Sequence, residues 1–252
     1  MKETVLSQSS MDSYQGYESW KQWDKATFGS WSALEAAYFS AELKRVGIET
    51  CEDLRIYEIG FGNGAFAGYV RSRGGEYFGS ELNEALVGRA REFGLNVFEV
   101  GIKQLMATDK PASFDLVVAF DVMEHLDVAD IKSFLLDATE LLKPGGVLLA
   151  RVPSGDSPFG RAIFHGDITH RTALGSSAIR QLASQTGFEV FDIGPPRFPI
   201  FCVGWVRAIR RSGIRLAQIL LSRLINLVFH DGQPRVITAN LVFVLRKPVA
   251  CQ

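Results

Sequence analysis

The amino-acid sequence predicts an α/β fold with a doubly wound parallel sheet. Two observations carry this prediction. Strand and helix patterns alternate from about residue 54 to residue 193, and such alternation builds parallel βαβ units. The segment from Phe114 to Phe120 is a near-continuous apolar run, as expected for a strand that is buried on both faces.

The elements of the first half follow from local patterns. Ser32 is a helix cap with Glu35 three residues on, and apolar residues recur to Leu43, so a helix is expected from about Ser30. A further helix is expected to begin at Asn83. The predicted strands cover residues 54–59, 77–80 and 95–100, and the helix between the first two covers residues 64–73.

The helix pattern is clearest in the second half. One apolar stripe recurs at the spacing of a helix face and consists of Ile131, Phe134, Leu135, Ala138, Leu141 and Leu142. The turn Lys143-Pro144-Gly145-Gly146 ends that helix and leads into a strand. The predicted strands cover residues 114–120, 147–152, 188–193 and 236–245, and another helix covers residues 176–186.

Charge and cysteine content exclude several classes of protein. The formal net charge of -1 gives no electrostatic reason to expect a nucleic-acid partner. Cys51, Cys202 and Cys251 are widely spaced, which fits neither a disulfide framework nor a structural zinc site. Residues 1–18 lack the apolar core of a signal peptide, and arginines interrupt the best candidate for a spanning helix. We therefore expect a cytoplasmic protein.

The strongest motif is the turn Glu58-Ile59-Gly60-Phe61-Gly62-Asn63-Gly64 after the first strand. Glycines let the backbone bend sharply and let a ligand lie against it. An ordinary turn, a dinucleotide site and an S-adenosylmethionine site all match the glycines. Glu58 favours the last, because a carboxylate suits the ammonium of a methionine better than a pyrophosphate. Glu81 follows the second strand and is placed to bind ribose hydroxyls in either cofactor.

The fourth strand and the residues after it distinguish S-adenosylmethionine from a dinucleotide. Residues 114–126, Phe-Asp-Leu-Val-Val-Ala-Phe-Asp-Val-Met-Glu-His-Leu, resemble the F-D-x-V-x-x-x-x-V-L-E-H segment of class I methyltransferases. Residues 141–146, Leu-Leu-Lys-Pro-Gly-Gly, resemble the L-L-K-P-G-G turn of the same family. With the glycine turn, three motifs stand in the family's order and spacing. The chain thus resembles a class I S-adenosylmethionine-dependent methyltransferase over residues 50–193.

The resemblance implies a Rossmann-like, seven-stranded, mostly parallel sheet with an antiparallel last strand. S-adenosylmethionine would lie across the carboxyl ends of the first, second and fourth strands. Its expected contacts are Glu58, Gly60, Gly62 and Gly64 on the methionine portion, Glu81 on the ribose, Leu82 on the adenine, and Phe120 and Asp121 near the sulfonium. Relatives often carry an acid after the third strand, whereas residues 100–104 here leave the adenine to backbone groups or Gln104.

Methyl transfer to a hydroxyl group calls for a base near the acceptor. His170 is the first candidate, because residues 164–171 resemble the D-x-T-H-x-R-type loop of bacterial methyltransferases in polysaccharide and quinone pathways. His125, which follows the fourth strand, is the second. Each has a structural alternative, namely ordering a loop or capping a helix. His165, Asp167 and His170 lack a clear further ligand, so no metal site is predicted.

Residues 195–235 are expected to form a helical, basic insertion before the last strand. Arginines bunch between residues 207 and 223 and face no acid until Asp231. A basic amphipathic pair of helices is typical of a membrane-surface contact through residues 205–229, and a lid or dimer interface is the alternative. Residues 30–194 and 236–252 would then form the cofactor-binding domain. Residues 1–29 would form an aromatic lead-in that covers the site or packs on the domain.

The sequence favours O-methylation of a glycan precursor in bacterial surface polysaccharide biosynthesis. The acceptor would be a small molecule or a lipid-linked saccharide, and the protein would lie in the cytoplasm, at the inner membrane. A quinone or another small hydroxylated metabolite is the second acceptor class. A non-catalytic binding protein and a dinucleotide oxidoreductase are the remaining alternatives. Motifs shared across many substrates leave the acceptor and the oligomeric state open.

Overall fold

The computed structural model describes residues 21, 23, 25–98, 112–200 and 204–249. Within them, the strands are β1 (Arg55–Ile59), β2 (Glu76–Ser80), β3 (Asn96–Phe98), β4 (Phe114–Phe120), β5 (Leu142–Pro153), β6 (Glu189–Gly194) and β7 (Asn240–Arg246). The α-helices are α1 (Ala33–Arg45), α2 (Ala65–Ser72), α3 (Glu84–Glu92), α4 (Val128–Leu141), α5 (Gly160–Phe164), α6 (Ser176–Thr186) and α7 (Trp205–Phe229).

The seven strands form one sheet in the order β3-β2-β1-β4-β5-β7-β6. Strands β1 to β5 pair in parallel, whereas β7 runs antiparallel to both β5 and β6. This confirms the predicted fold class, including the antiparallel last strand and the helix before it. The carboxyl ends of β1, β2 and β4 meet at one edge, where open α/β sheets bind their ligands.

Helices cover both faces of the sheet and bury it. Residues of β4 alternate between two apolar clusters, with Val117 in one and its neighbours Leu116 and Val118 in the other. The first cluster includes residues of α4 and α6, and the second includes residues of α1, α2 and α3. Burial on both faces explains why β4 is apolar at nearly every position.

Most predicted elements are present, with shifted ends. The capping box at the start of α1 is confirmed, since Glu35 N–H donates to Ser32 Oγ at 3.2 Å and Ser32 N–H donates to Glu35 Oε2 at 2.7 Å. Strand β5 begins at Leu142 rather than residue 147, because Leu142 pairs with Phe114. Strand β7 begins at Asn240 rather than residue 236. Residues 99–104, including Gln104, lie outside the described residues.

The expected pair of basic helices is wrong, because α7 is one continuous helix of 25 residues. Arginine favours helices, so the basic residues do not interrupt it. The expectation that arginines interrupt the best candidate for a spanning helix is also wrong by the criteria of length and composition. By length and composition alone, α7 could cross a membrane, since an 18-residue stretch of it has a mean hydropathy of 1.3. None of that stretch is buried.

Candidate functional site

The glycine turn after β1 is built from backbone conformations that L-residues rarely adopt. Gly60, Gly62 and Gly64 have φ values of +69°, +53° and +71°. A Cβ on Gly60 would lie 2.5 Å from Val122 Cγ2, and one on Gly62 would lie 2.9 Å from the Trp23 ring. The turn therefore requires glycine for its shape and for its space. Contact with Val122 also places it against the loop that follows β4.

Glu58 lies at the carboxyl end of β1 and is buried, with 4% of its surface exposed. Tyr77 Oη donates a hydrogen bond to Glu58 Oε2 at 2.7 Å. Burial raises the pKa of Glu58 to about 8, and nearby Glu81 adds to the rise, while the Tyr77 hydrogen bond opposes it. A buried carboxyl group of this kind would ionise in the presence of a cation, such as the ammonium group of a methionine.

Glu81 binds backbone groups at the carboxyl end of β2. Its Oε2 accepts the Gly62 N–H at 3.1 Å, and its Oε1 accepts the N–H groups of Leu82 at 2.7 Å and Asn83 at 3.2 Å. Burial raises its pKa, and the three backbone donors oppose that rise. Glu81 thus lies against the glycine turn, as a ribose-binding carboxylate requires. The Leu82 side chain beside it is 46% exposed, and its contact with adenine stays a prediction.

Phe120 and Asp121 end β4 but point into other contacts. The Phe120 ring stacks on Phe39, with the ring centroids 6.2 Å apart. Asp121 has a φ of +56°, and its carboxylate forms an ion pair with Arg151, whose Nε lies 2.8 Å from Oδ1. The Arg151 guanidinium lies over the Tyr38 ring, 5.1 Å from its centroid. The predicted roles of Phe120 and Asp121 near the sulfonium stay predictions.

Two aromatic residues of the lead-in pack on the glycine turn. The Trp23 ring lies against Gly62, and Phe28, which is 7% exposed, lies against Gly64. Phe28 also meets Phe61 and Phe93 edge to face. This packing is expected both if residues 1–29 cover the site and if they only pack on the domain. The predicted division of the chain into domains stays a prediction.

The structure brings the two histidines predicted from separate loops together. His125 and His170 follow β4 and β5, and their ring centroids lie 4.5 Å apart in an edge-to-face arrangement. Backbone hydrogen bonds join the two loops, because the N–H groups of Arg171 and Thr172 both donate to the Glu124 carbonyl, at 2.7 and 3.0 Å. His165, in contrast, is exposed.

Hydrogen bonds fix how each imidazole ring is held. His170 Nδ1 lies 2.8 Å from the Phe164 carbonyl oxygen, which can only accept, so His170 carries its proton on Nδ1. His125 Nδ1 lies 2.8 Å from Thr169 Oγ1, and that hydroxyl donates to Asp167 Oδ1. His125 therefore donates from Nδ1 in the same way. In the neutral form of each ring, Nε2 is then the nitrogen with a lone pair.

Burial governs the charge of this cluster. It lowers the pKa of His125 to about 4, and the neighbouring His170 adds to the effect, whereas Asp167 opposes it. Hydrogen bonds from Thr169 lower the pKa of Asp167, although burial acts in the opposite direction. His125 is consequently neutral at physiological pH and can accept a proton.

Glu124 completes the cluster and is 1% exposed. Burial and the nearby Asp121 raise its pKa, and its Oε2 has no hydrogen-bond partner among the described residues. One ligand atom each from Glu124, His125 and His170 lie within 4.8 Å of one another, so these side chains could hold a metal ion. This set shares only His170 with the three residues considered from the sequence, His165, Asp167 and His170.

A protein-family model matches more than half of the chain. Residues 31–193 match the model of a methyltransferase domain. The chain belongs to the methyltransferase family. The sequence-based identification as a class I S-adenosylmethionine-dependent methyltransferase is thereby confirmed. In this methyltransferase the glycine turn has no room for Cβ atoms, and the carboxyl groups of Glu58, which is buried, and Glu81, which is partly buried, lie beside it. The contacts of these residues with the cofactor stay predictions.

Solved structures share the fold of this methyltransferase. A SAM dependent methyltransferase from Archaeoglobus fulgidus superposes with a TM-score of 0.60 at 17% identity, covering 93% of this chain and 99% of that one. The 1,6-didemethyltoxoflavin-N1-methyltransferase of Burkholderia thailandensis, with bound S-adenosylhomocysteine, gives a TM-score of 0.56 at 14% identity, covering 94% and 84%. At these identities, the likeness concerns the fold.

Curated relatives match a shorter stretch of the methyltransferase. The ubiquinone biosynthesis O-methyltransferase of Maricaulis maris is 34% identical over 103 residues, which is 39% of this chain. That of Agrobacterium fabrum is 29% identical over 103 residues, again 39% of this chain. The chain spans about 40% of the length of these relatives.

Sequence reasoning missed several residues that shape the methyltransferase site. Glu124 lies next to His125 in the segment of residues 114–126 that resembles class I methyltransferases, and no role was predicted for it. Thr169 was given no role and Asp167 was considered only as a metal ligand, although the two lie two residues apart, a spacing typical of an aspartate that bonds the nearby backbone. Tyr77 and Arg151 gave no signal, because each acts through a partner on another strand.

Proposed function

We propose that the chain transfers a methyl group from S-adenosylmethionine to the oxygen of a hydroxylated acceptor. The observation that carries this proposal is the pair of histidines, each donating from Nδ1 and presenting Nε2 as the lone-pair nitrogen. A buried neutral imidazole is suited to take the proton that the acceptor hydroxyl loses. The pair follows β4 and β5, and the loop after β4 touches the glycine turn through Val122.

The bound cofactor supplies an electrophilic methyl group on a sulfonium. The residues of the chain would hold and orient the cofactor and would take the proton from the acceptor hydroxyl. The glycine turn, Glu58 and Glu81 would bind the cofactor, and His170 Nε2 or His125 Nε2 would accept the hydroxyl proton. Asp167 would stabilise the protonated His125 through Thr169. Such a positioned base contributes roughly 10²- to 10⁴-fold to the rate.

The favoured acceptor is a phenol of the quinone-precursor class. His125, whose pKa is lowered to about 4, is a weak base and could deprotonate only an acidic hydroxyl. A phenol, with a pKa of about 10, is far easier to deprotonate than a sugar hydroxyl. The partial likeness to ubiquinone biosynthesis O-methyltransferases supports the same choice. This reverses the order expected from the sequence, in which a glycan precursor came first.

A lipid tail on the acceptor agrees with the surface of α7. The helix exposes large apolar side chains, including Ile209 at 67% and Leu227 at 68%, and contact with a membrane surface would cover them. A prenylated phenol and a lipid-linked saccharide both carry such a tail. The proposed location is thus the cytoplasmic side of a membrane.

The test is methyl transfer from labelled S-adenosylmethionine to a panel of prenylated phenols and lipid-linked sugars. We expect transfer to a phenol, and His170→Gln should lower kcat by about 10²-fold or more while cofactor affinity stays unchanged. The matched control is His165→Gln, since that exposed histidine lies five residues away and should be neutral. Equal losses in both variants, or transfer to sugars alone, would contradict the proposal.

A further inference from the structure

A cavity of about 300 Å³ lies between α7, the start of α6, the end of β6 and the segment from Pro234 to Thr238. It shares no lining residue with the glycine turn or the histidine pair. Four of the residues that line it are arginines: Arg180, Arg215, Arg223 and Arg235. The lining contains no aspartate or glutamate. The cavity is therefore a concentrated positive site.

The arginines of this cavity lack acidic partners within the described ranges. Arg235 Nη1 donates to Ser176 Oγ at 3.2 Å, which is a neutral acceptor. No ion pair involves Arg180, Arg215 or Arg223 in that part of the chain. The nearby Asp156 is engaged by the backbone N–H groups of Ser176 and Val236. Like charges gathered without a counter-charge destabilise one another, so an anion in the cavity would relieve that repulsion.

Helix α7 turns its polar side toward the cavity and its apolar side toward solvent. Arg215, Gln218, Ser222 and Asn226 line the cavity at the three- and four-residue spacing of one helix face. The opposite side carries exposed apolar residues at the same spacing: Ile209, Leu216, Leu220, Leu224 and Leu227. Among the residues of α7, Ala208 is the buried one. A helix normally buries its apolar stripe against its own domain.

We propose that this cavity binds the phosphate group of an anionic phospholipid while the apolar side of α7 enters the surface of the bilayer. Guanidinium groups bind phosphate oxygens through paired hydrogen bonds, which makes arginine suited to this headgroup. The lipid tails would extend along the exposed leucines. One ligand thus accounts for both unusual features of the helix.

Two observations favour a lipid surface over the other occupants. A second copy of the chain packed on the apolar side of α7 would leave the four arginines of the cavity without an anion, whereas a phospholipid supplies one. Insertion across the bilayer would pull the helix from the domain. Asn226 holds it there, since its Nδ2 donates to the Arg235 carbonyl at 3.1 Å and its Oδ1 accepts the Arg235 N–H at 3.2 Å.

The experiment is sedimentation of the full chain with vesicles of phosphatidylcholine alone or mixed with phosphatidylglycerol. Binding to the mixed vesicles is expected. The double variant Arg180→Gln/Arg215→Gln should weaken it about tenfold or more, because each arginine at an anionic surface contributes several-fold. Arg207→Gln/Arg210→Gln removes the same charge from α7 outside the cavity and should weaken binding less, because the cavity keeps all four of its arginines.

Four outcomes would overturn the inference: no binding of the parent chain to mixed vesicles, equal losses in the two double variants, tight calorimetric binding of inorganic phosphate, or a dimer that vesicles do not compete with. The inference deepens the membrane contact under the proposed function and does not depend on the acceptor. Binding of S-adenosylmethionine by each variant is therefore measured in parallel. Retained cofactor binding shows that the variant is folded, so a failure at the membrane is distinguished from a failure of methyl transfer.

Discussion

The glycine turn and helix α7 are built in opposite ways. At the turn, aromatic side chains such as Phe28 and Phe61 are buried, and the polar carboxylate of Glu81 is held by backbone N–H groups. In α7, the leucines face solvent, and Arg215 and Arg223 line the cavity against the domain. The first region is packed by its own aromatic side chains and backbone donors. The second exposes an apolar side, which a membrane surface would cover under the proposal above.

This difference shows how each region acquires a function. The turn acts through backbone shape, so what matters is the absence of side chains at three glycines. Helix α7 acts through side chains on both of its sides, and its backbone is ordinary. Substitutions that add atoms should therefore damage the first region, and substitutions that change polarity should act on the second.

The two regions should differ most in how their stability responds to a methyl group added to a glycine. Gly60→Ala places Cβ 2.5 Å from Val122 Cγ2 at a positive φ, and should cost about 2–4 kcal/mol of unfolding free energy and abolish cofactor binding. Gly213→Ala in α7 meets nothing within 4 Å and should stabilise the protein by up to about 1 kcal/mol. Chemical denaturation measures both. Similar changes in the two variants would contradict the comparison.

The pH dependence of stability tests the buried carboxyl group of Glu58. Its pKa is raised from 4.5 to about 8, so the folded state binds more protons than the unfolded state between these values. The unfolding free energy should hence fall as pH rises through this range, by up to about 1.4 kcal/mol per unit for this group.

Glu58→Gln should flatten that fall, measured between pH 6.5 and 8. This window avoids His125, whose lowered pKa makes stability rise with pH between about 4 and 6.5. Added S-adenosylmethionine should flatten the fall in the parent chain too, because a bound cation favours the carboxylate. Parallel curves for the parent and variant would show that Glu58 is not held neutral in the folded state.

The smallest effect on stability is expected at the apolar side of α7. Leu220 is 57% exposed, so Leu220→Ser should change the unfolding free energy by about 0.5 kcal/mol or less. Leu86→Ser in α3 is the matched control, because Leu86 is 1% exposed and its loss should cost several kcal/mol. Thermal unfolding distinguishes them. A large loss at Leu220 would mean that α7 packs on the domain.

Local patterns predicted the fold and much of the candidate site. The Ser32 capping box and the α4 stripe depend on neighbours within four residues, so the sequence specified them directly. The convergence of His125 and His170 followed from topology, since loops after adjacent parallel strands share an edge. Gly60, Gly62 and Glu81 were placed at that edge for the same reason.

Other features depend on contacts that no local pattern encodes. Helix α7 was expected as a pair, and its polar side faces a cavity that β6 and residues 234–238 also line, which no local pattern indicates. The Asp121 ion pair joins side chains 30 positions apart in the sequence. The grouping of Glu124 with the two histidines depends on how two loops meet, which spacing within either loop does not reveal.

Calorimetric titration with S-adenosylmethionine and S-adenosylhomocysteine tests the central claim most directly, with Glu81→Ala beside the parent chain and NAD as a negative control. We expect S-adenosylmethionine and S-adenosylhomocysteine to bind the parent chain and NAD not to bind it. Glu81→Ala should weaken binding about tenfold or more, because it loses a charged hydrogen-bonding partner of the ribose. Absence of binding by the parent chain, or equal affinity in the variant, would contradict the assignment of this edge of the sheet as the cofactor site.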